Sequence, residues 1–292
     1  MVWVDEMNTR AAATGAVAEP KPVHVIAVTG GKGGVGKTNI CTNLAIALSR
    51  RRHEVMLLDA DLGLANIEVL LGLRCDYNLS HVLKGETSIK DIVITGPGGI
   101  KIVPGASGVA QMASLSAGEQ AGLMRAFSDV PYSIDYFLID TATGITSDVI
   151  NFTRAAQEVI IVVCDEPASI TDAYALMKVL SRDYSVHRFH VIANMVGNAY
   201  EGRRLYEKIS KVTDRFLDIV LHFLGTVPYD DYLRRAVQRQ RAVTDLFPRS
   251  PSATSFDHLA AAVEGWPRPR VARGHLEFFM ERLVQVHSNE LS

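Results

Sequence analysis

Val25-Ile26-Ala27-Val28-Thr29-Gly30-Gly31-Lys32-Gly33-Gly34-Val35-Gly36-Lys37-Thr38 is the stretch that decides the fold. Its first five residues are small or β-branched and apolar, as in a strand buried on both faces. They run directly into the pattern G-x-x-x-x-G-K-T, and a helical period follows over residues 38–51. Strand, glycine-rich loop and helix in that order is the context in which such a loop binds phosphate. The glycines let backbone N–H groups curl around phosphate oxygens. The helix N-terminus adds a favourable partial positive charge. Lys37 is expected to reach the β- and γ-phosphates, and the Thr38 hydroxyl to bind Mg²⁺. Gly31, Lys32, Gly33, Gly34, Val35, Gly36, Lys37, Thr38 and the adjoining Asn39 are the expected nucleotide cradle. A chance glycine-rich turn would not stand in register between a strand and a helix.

Outward from this loop, apolar strand-like runs recur at 23–29, 54–59, 136–140, 158–164, 189–194 and 221–227. Helical stretches at 38–51, 147–156, 170–182 and 202–216 alternate with them. The alternation predicts an α/β fold: a doubly wound, mostly parallel sheet with right-handed crossovers. Residues 92–104, built around Gly96-Pro97-Gly98-Gly99, predict a hairpin or edge excursion. Three segments are expected: a flexible extension over 1–22, an ATPase domain over 23–248, and a helical region over 249–292 that ends in an amphipathic helix.

Composition narrows the class. The chain of 292 residues carries 30 basic and 32 acidic side chains, so global charge does not advertise a nucleic-acid partner. Cys41, Cys75 and Cys164 form no CxxC pair, which argues against a zinc knuckle or an iron–sulfur carrier and fits a reducing cytoplasm. No apolar run approaches the roughly 20 residues that span a bilayer. The N-terminal stretch carries Asp5 and Glu6 and no apolar core, unlike a signal peptide.

Acidic residues are placed to complete a phosphate site. Asp59-Ala60-Asp61-Leu62-Gly63-Leu64-Ala65-Asn66 follows the second strand, where α/β sheets bind ligands. One of the two carboxylates can hold the Mg²⁺ shell while the other polarises a water; alternatively, these acids cap the next helix. Phe137-Leu138-Ile139-Asp140 is a buried strand that ends in an acid, so Asp140 is expected to bind Mg²⁺ through water.

The segment Lys32-Gly33-Gly34-Val35-Gly36-Lys37-Thr38, with its second lysine, resembles the deviant Walker A box of the MinD/ParA family. The resemblance runs from about Val23 to Gln285 and implies a P-loop ATPase that binds ATP and Mg²⁺ and dimerises with ATP. It implies that Lys32 reaches the partner's nucleotide and that Asp61 activates water, with Asp59 and Asn66 in support. Thr141-Ala142-Thr143-Gly144 is similar to the family's second switch. Asn194 and the turn containing Pro228 and Asp230 are implied to face adenine, and Glu166 and Asp172 to lie where the dimer closes over the nucleotide. The stretches 56–66, 169–176, 211–218, 239–243 and 274–279 resemble the family's flagellar-number regulators. That likeness implies action on the enhancer-binding activator FleQ. The alternative is a positioning ATPase acting mainly on DNA or membrane. Asp5–Arg10 does not match the segment by which some such regulators stimulate the flagellar GTPase FlhF.

Two surface features admit competing readings. Over 275–286, Leu276, Phe279, Met280, Leu283 and Val286 share a helical face, interrupted opposite by Phe278. Such a helix either packs on the ATPase or across the dimer, or makes peripheral contact with the inner face of the cell membrane or pole. Between Tyr232 and Arg273, eight arginines face three acids. Solvated helix faces account for most such excesses, and DNA binding is the weaker expectation.

Overall fold

The computed structural model describes residues 22–106, 116–128, 130–269 and 278–279. Eight strands form one sheet: β1 (His24–Thr29), β2 (Val55–Ala60), β3 (Ile94–Thr95), β4 (Lys101–Val103), β5 (Tyr136–Thr141), β6 (Glu158–Val163), β7 (Arg188–Val196) and β8 (Val220–Pro228). Their spatial order is β3-β4-β2-β5-β1-β6-β7-β8. Every pairing is parallel except β3 with β4, the expected edge hairpin.

The helices are α1 (Lys37–Arg50), α2 (Ile67–Leu70), α3 (Leu79–Leu83), α4 (Ile89–Ile92), α5 (Ala117–Ser128), α6 (Ser147–Arg154), α7 (Pro167–Tyr184), α8 (Ala199–Phe216), α9 (Asp231–Gln238), α10 (Val243–Leu246) and α11 (Pro251–Glu264). The strand pleat sends alternate side chains to opposite layers. Ile26 and Val28 meet α1, α10 and α11, whereas Val25 and Ala27 meet the layer of α5 and α6. Under β6 and β7 the second layer continues as α7 and α8. Burial on both faces is why these strands read as continuous apolar runs and not as alternating ones.

The region after residue 248 begins with a helix, α11, which packs on the sheet. Ser250 caps α11 by accepting from the Ala253 N–H, and Pro251 starts the helix with its fixed φ. Phe256, Leu259 and Val263 of α11 are then buried in the same cluster as Ile26 and Leu44. Such side chains contribute roughly 1.5–3 kcal/mol each on burial. One departure from the sequence reading is at Phe278 and Phe279, the only described residues of the expected C-terminal helix. They form a turn, with φ 56° at Phe279. Both rings are buried against Phe127 and Phe137, with centroids 5.0–6.4 Å apart. The aromatic cage takes Phe278 from its expected polar face. The rest of 275–286, the extension over 1–21, Arg270 and Arg273 lie outside the described residues. Among the described residues no helix is long and apolar enough to cross a membrane.

Candidate nucleotide site

The loop 30–36 sits at the C-terminal end of β1. From there one crossover leads by α1 to β2, while the crossover from neighbouring β6 leads by α7 to β7 on the other side. Crevices at such reversals are where open α/β sheets bind ligands. A cleft of about 720 Å³ opens there. Gly36 turns the chain into α1 with φ 90°, and a Cβ on it would stand 2.4 Å from the Asn194 amide nitrogen. Gly31 is pressed on α7: its Cβ would meet the Asp172 carbonyl at 2.3 Å. Any side chain at either position would push the loop off its supports.

Of the expected residues, Gly33, Gly34, Gly36, Lys37, Thr38, Asn39, Asp61 and Asn66 line the cleft, with Thr141 and Thr143 beside them. Lys37 is buried, which lowers its pKa, while the charges of Asp140 and Asp61 raise it. Asp140 lies under the loop, fully buried, close to Thr38 and Lys37. Burial pushes its carboxyl up to about 7, against the pull of Thr38 and Lys37.

Asp59 is the Cα partner of Asp140 across β2 and β5. Burial, and then the Asp140 charge, hold it well above the usual carboxylate range. Its oxygens accept from the backbone N–H groups of Asp61 (3.2 Å), Asn66 (2.8 Å) and Ile67 (3.0 Å). Asp59 thus fastens the 61–67 loop and the start of α2, the capping alternative of the sequence reading. Asp61 is left in the cleft, its Oδ1 accepting from the Leu64 N–H at 3.3 Å.

Other expected residues are placed elsewhere. Val35 is buried, and its carbonyl accepts from the Asn194 amide at 2.7 Å. Asn194 Oδ1 is buried and has no hydrogen-bond partner in the protein. Asp230 caps α9 by accepting from the Tyr232 N–H (2.9 Å) and grips Ser252 through its N–H (3.0 Å) and hydroxyl (2.6 Å). That carboxylate ties α9 to α11; it and Pro228 are absent from the cleft wall. Lys32 does not point into the cleft: its ammonium donates to the Glu166 carboxylate, and that contact raises its pKa.

The far wall went unread in the sequence. It consists of Leu64, Val69, Leu70, Met195, Val237 and Gln240. Met195 and Gln240 have φ of 56° and 51°, and Gln240 Nε2 donates to the Val69 carbonyl at 3.0 Å. Left-handed backbone at a non-glycine residue leaves little trace in composition.

The donor set suits a hard divalent cation. Thr38, Asp59 and Asp140 offer only oxygen, and Asp140 Oδ1 is buried without a partner. Two adjoining buried carboxylates hold excess negative charge that such an ion would relieve.

These features define a P-loop nucleotide-binding protein, and comparison with known proteins agrees. Residues 26–243 match the CobQ/CobB/MinD/ParA nucleotide binding domain, and the chain belongs to that family. It is 56% identical to the antiactivator FleN of Pseudomonas aeruginosa over 264 residues, covering 90% of this chain and 94% of that protein. It is 36% identical to the flagellum site-determining protein YlxH of Helicobacter pylori, over 80% of each chain. Among solved structures, MinD in the MinC:MinD cell division complex of Aquifex aeolicus aligns with a TM-score of 0.70 and 25% identity, covering 85% of this chain and 98% of that one.

Proposed function

We propose that this chain is an MgATP-dependent dimerising ATPase switch that limits flagellar number by antagonising the flagellar transcription activator FleQ. The observation that carries the reading is the 56% identity to an antiactivator over nearly the whole chain, well beyond the nucleotide loop. The double-lysine loop and the cleft at the sheet's switch point support its nucleotide half.

In this reading Gly33, Gly34 and Gly36 present N–H groups to phosphate oxygens, and Lys37 neutralises the β- and γ-phosphates. Mg²⁺, held by Thr38 and through water by Asp140, would supply charge neutralisation at the phosphates. Asp61 orients the attacking water, while Asp59 and Asn66 set the shape of the loop that carries it. Lys32 leaves Glu166 to meet the γ-phosphate across the dimer, so ATP and ADP differ in the contacts they allow. A ligand shifts an equilibrium only through such a difference.

Transcription from a FleQ-dependent promoter, reconstituted with purified components, tests the proposal. The chain with ATP is expected to repress it, and the chain with ADP is expected to repress far less. Undiminished transcription, together with ATP-dependent binding to a random DNA duplex or to liposomes, would favour a positioning ATPase instead.

A further inference from the structure

Away from the nucleotide cleft, α9, α10 and the start of α11 enclose a second hollow of about 350 Å³. Tyr232, Leu246, Phe247, Pro248 and Pro251 give it an apolar lining, and Arg249 stands at its edge. The rings of Tyr232 and Phe247 lie 5.1 Å apart, tilted at 55°. Guanidinium groups cover both rings: Arg235 is 5.7 Å from the Tyr232 centroid and Arg239 is 6.0 Å from that of Phe247. Tyr232, Arg235 and Arg239 follow i, i+3, i+7 spacing and so share one face of α9 and its cap.

The charge state of this rim is distinctive. Arg235, Arg239 and Arg249 are exposed, and none has a carboxylate within ion-pair range among the described residues. Their neighbours are paired, Arg234 with Asp231 and Arg241 with Asp245. Three guanidinium groups without a carboxylate partner among the described residues, around one apolar hollow, combine selection for anions with a socket for an apolar side chain. Arginine beside aromatic residues is the composition of energetically dominant interface positions.

We propose that this hollow docks an acidic, apolar-anchored segment of the activator protein. This rests on the function proposed above. Nucleic acid fits the hollow less well. A stacked base needs a free ring face, and guanidinium groups already cover these rings. A carboxylate-bearing peptide meets the guanidinium groups in bidentate fashion and sets one apolar side chain between Phe247 and Pro248.

The same short helix joins this hollow to the nucleotide. Val237 of α9 and Gln240 just beyond it line the cleft, and Gln240 holds the Val69 carbonyl of α2. A displacement of the 61–70 loop on ATP binding would therefore reach Arg235 and Arg239 within about one and a half turns of α9. Interaction with the activator is thereby made sensitive to nucleotide.

The test uses the full chain, purified FleQ, Mg²⁺ and a non-hydrolysable ATP analogue, with affinity read by biolayer interferometry. The variant Arg235→Glu/Arg239→Glu/Arg249→Glu is expected to bind FleQ at least tenfold more weakly, with ATP turnover and melting temperature unchanged. The milder Arg235→Gln/Arg239→Gln/Arg249→Gln should show a smaller loss, and it decides the matter if the first variant folds poorly. Arg203→Glu/Arg204→Glu on α8 should leave affinity unaltered. Wild-type affinity in both triple variants would overturn the docking site while leaving the function standing. No binding by the wild-type chain would overturn the function and the site together. Loss of affinity for a DNA duplex with FleQ binding intact would reassign the hollow to nucleic acid.

Discussion

The two ends of the sheet solve the same problem in opposite ways. At the N-terminal ends of the strands, Glu158 is buried, with Arg188 on one oxygen and His190 Nε2 at 2.9 Å on the other. Burial opposes its ionisation, yet the His190 hydrogen bond and the Arg188 charge hold its pKa below the usual range. Trp266 closes the cluster, stacked on His190 at 4.1 Å. At the C-terminal ends, Asp140 is buried as deeply, but its pKa rises to about 7 and one oxygen has no partner. Asn194 Oδ1 is orphaned there too. Leu64 and Val69 are exposed nearby, at 74% and 57%. In the lower network both Glu158 oxygens have partners within the chain. The upper one is incomplete, as expected of a site finished by ligands and a second copy, since buried polar groups are otherwise satisfied.

The largest break in this contrast should come from Asp61→Ala. Loss of a positioned group of this kind costs roughly 10²–10⁴ in rate. Single-turnover hydrolysis should fall by about that much while ATP affinity is retained. Retained turnover would pass the water-orienting role to another group.

Lys37→Ala should weaken nucleotide binding by roughly 100-fold, as expected for the loss of charge-assisted hydrogen bonds to phosphate. Titration with a fluorescent ATP analogue measures it.

Glu158→Gln should act on stability alone. It strips a buried charge from Arg188 and His190, and because Arg188 is 45% exposed the cost is discounted to about 1–2 kcal/mol. Denaturant unfolding should register that loss with ATP affinity unchanged. A loss of affinity would mean that the two ends are coupled.

The pH dependence should separate the ends by sign. Asp140 is raised to about 7 from 3.8, so between those values the folded chain holds a proton that the unfolded chain releases. Its contribution falls as pH rises through that window, as does that of the neighbouring raised Asp59, and Asp140→Asn should reduce the slope. His24 is lowered to about 4 from 6.5 by burial, against the raising effect of Glu158. Its contribution is lost as pH falls from 6.5 to 4, and His24→Phe should flatten that limb. Melting curves of the nucleotide-free variants from pH 4 to 8 read both.

Glu166→Ala should have the smallest effect. The Lys32–Glu166 pair is half exposed and adds little to stability. Freed Lys32 should lower the ATP concentration needed for dimerisation by a few-fold. A higher requirement would give Glu166 a direct part in the interface.

Much of this was legible in the sequence, for physical reasons. Parallel strands buried on both faces announce themselves as β-branched runs, and all six main strands lie within two residues of the expected bounds. The phosphate loop is legible because its glycines answer a backbone requirement. Asp59 and Asp61 share a motif but divide its alternatives: one fastens the loop and the other faces the cleft, a choice made by burial. Asn194, assigned to adenine by resemblance, is also spent on the Val35 carbonyl, and Asp230 on Ser252. The far wall of Met195, Val237 and Gln240 left no sequence signal because it depends on where α9 ends relative to α2. The Glu158 cluster, spread over β1, β6, β7, β8 and Trp266, exists only through strand register.

Sedimentation velocity with Mg²⁺ and a non-hydrolysable ATP analogue tests most directly whether the upper end is a site left incomplete. The wild-type chain should shift from monomer to dimer with the analogue and stay monomeric with ADP, and Lys32→Ala should stay monomeric with both. An oligomeric state indifferent to the nucleotide would contradict the account.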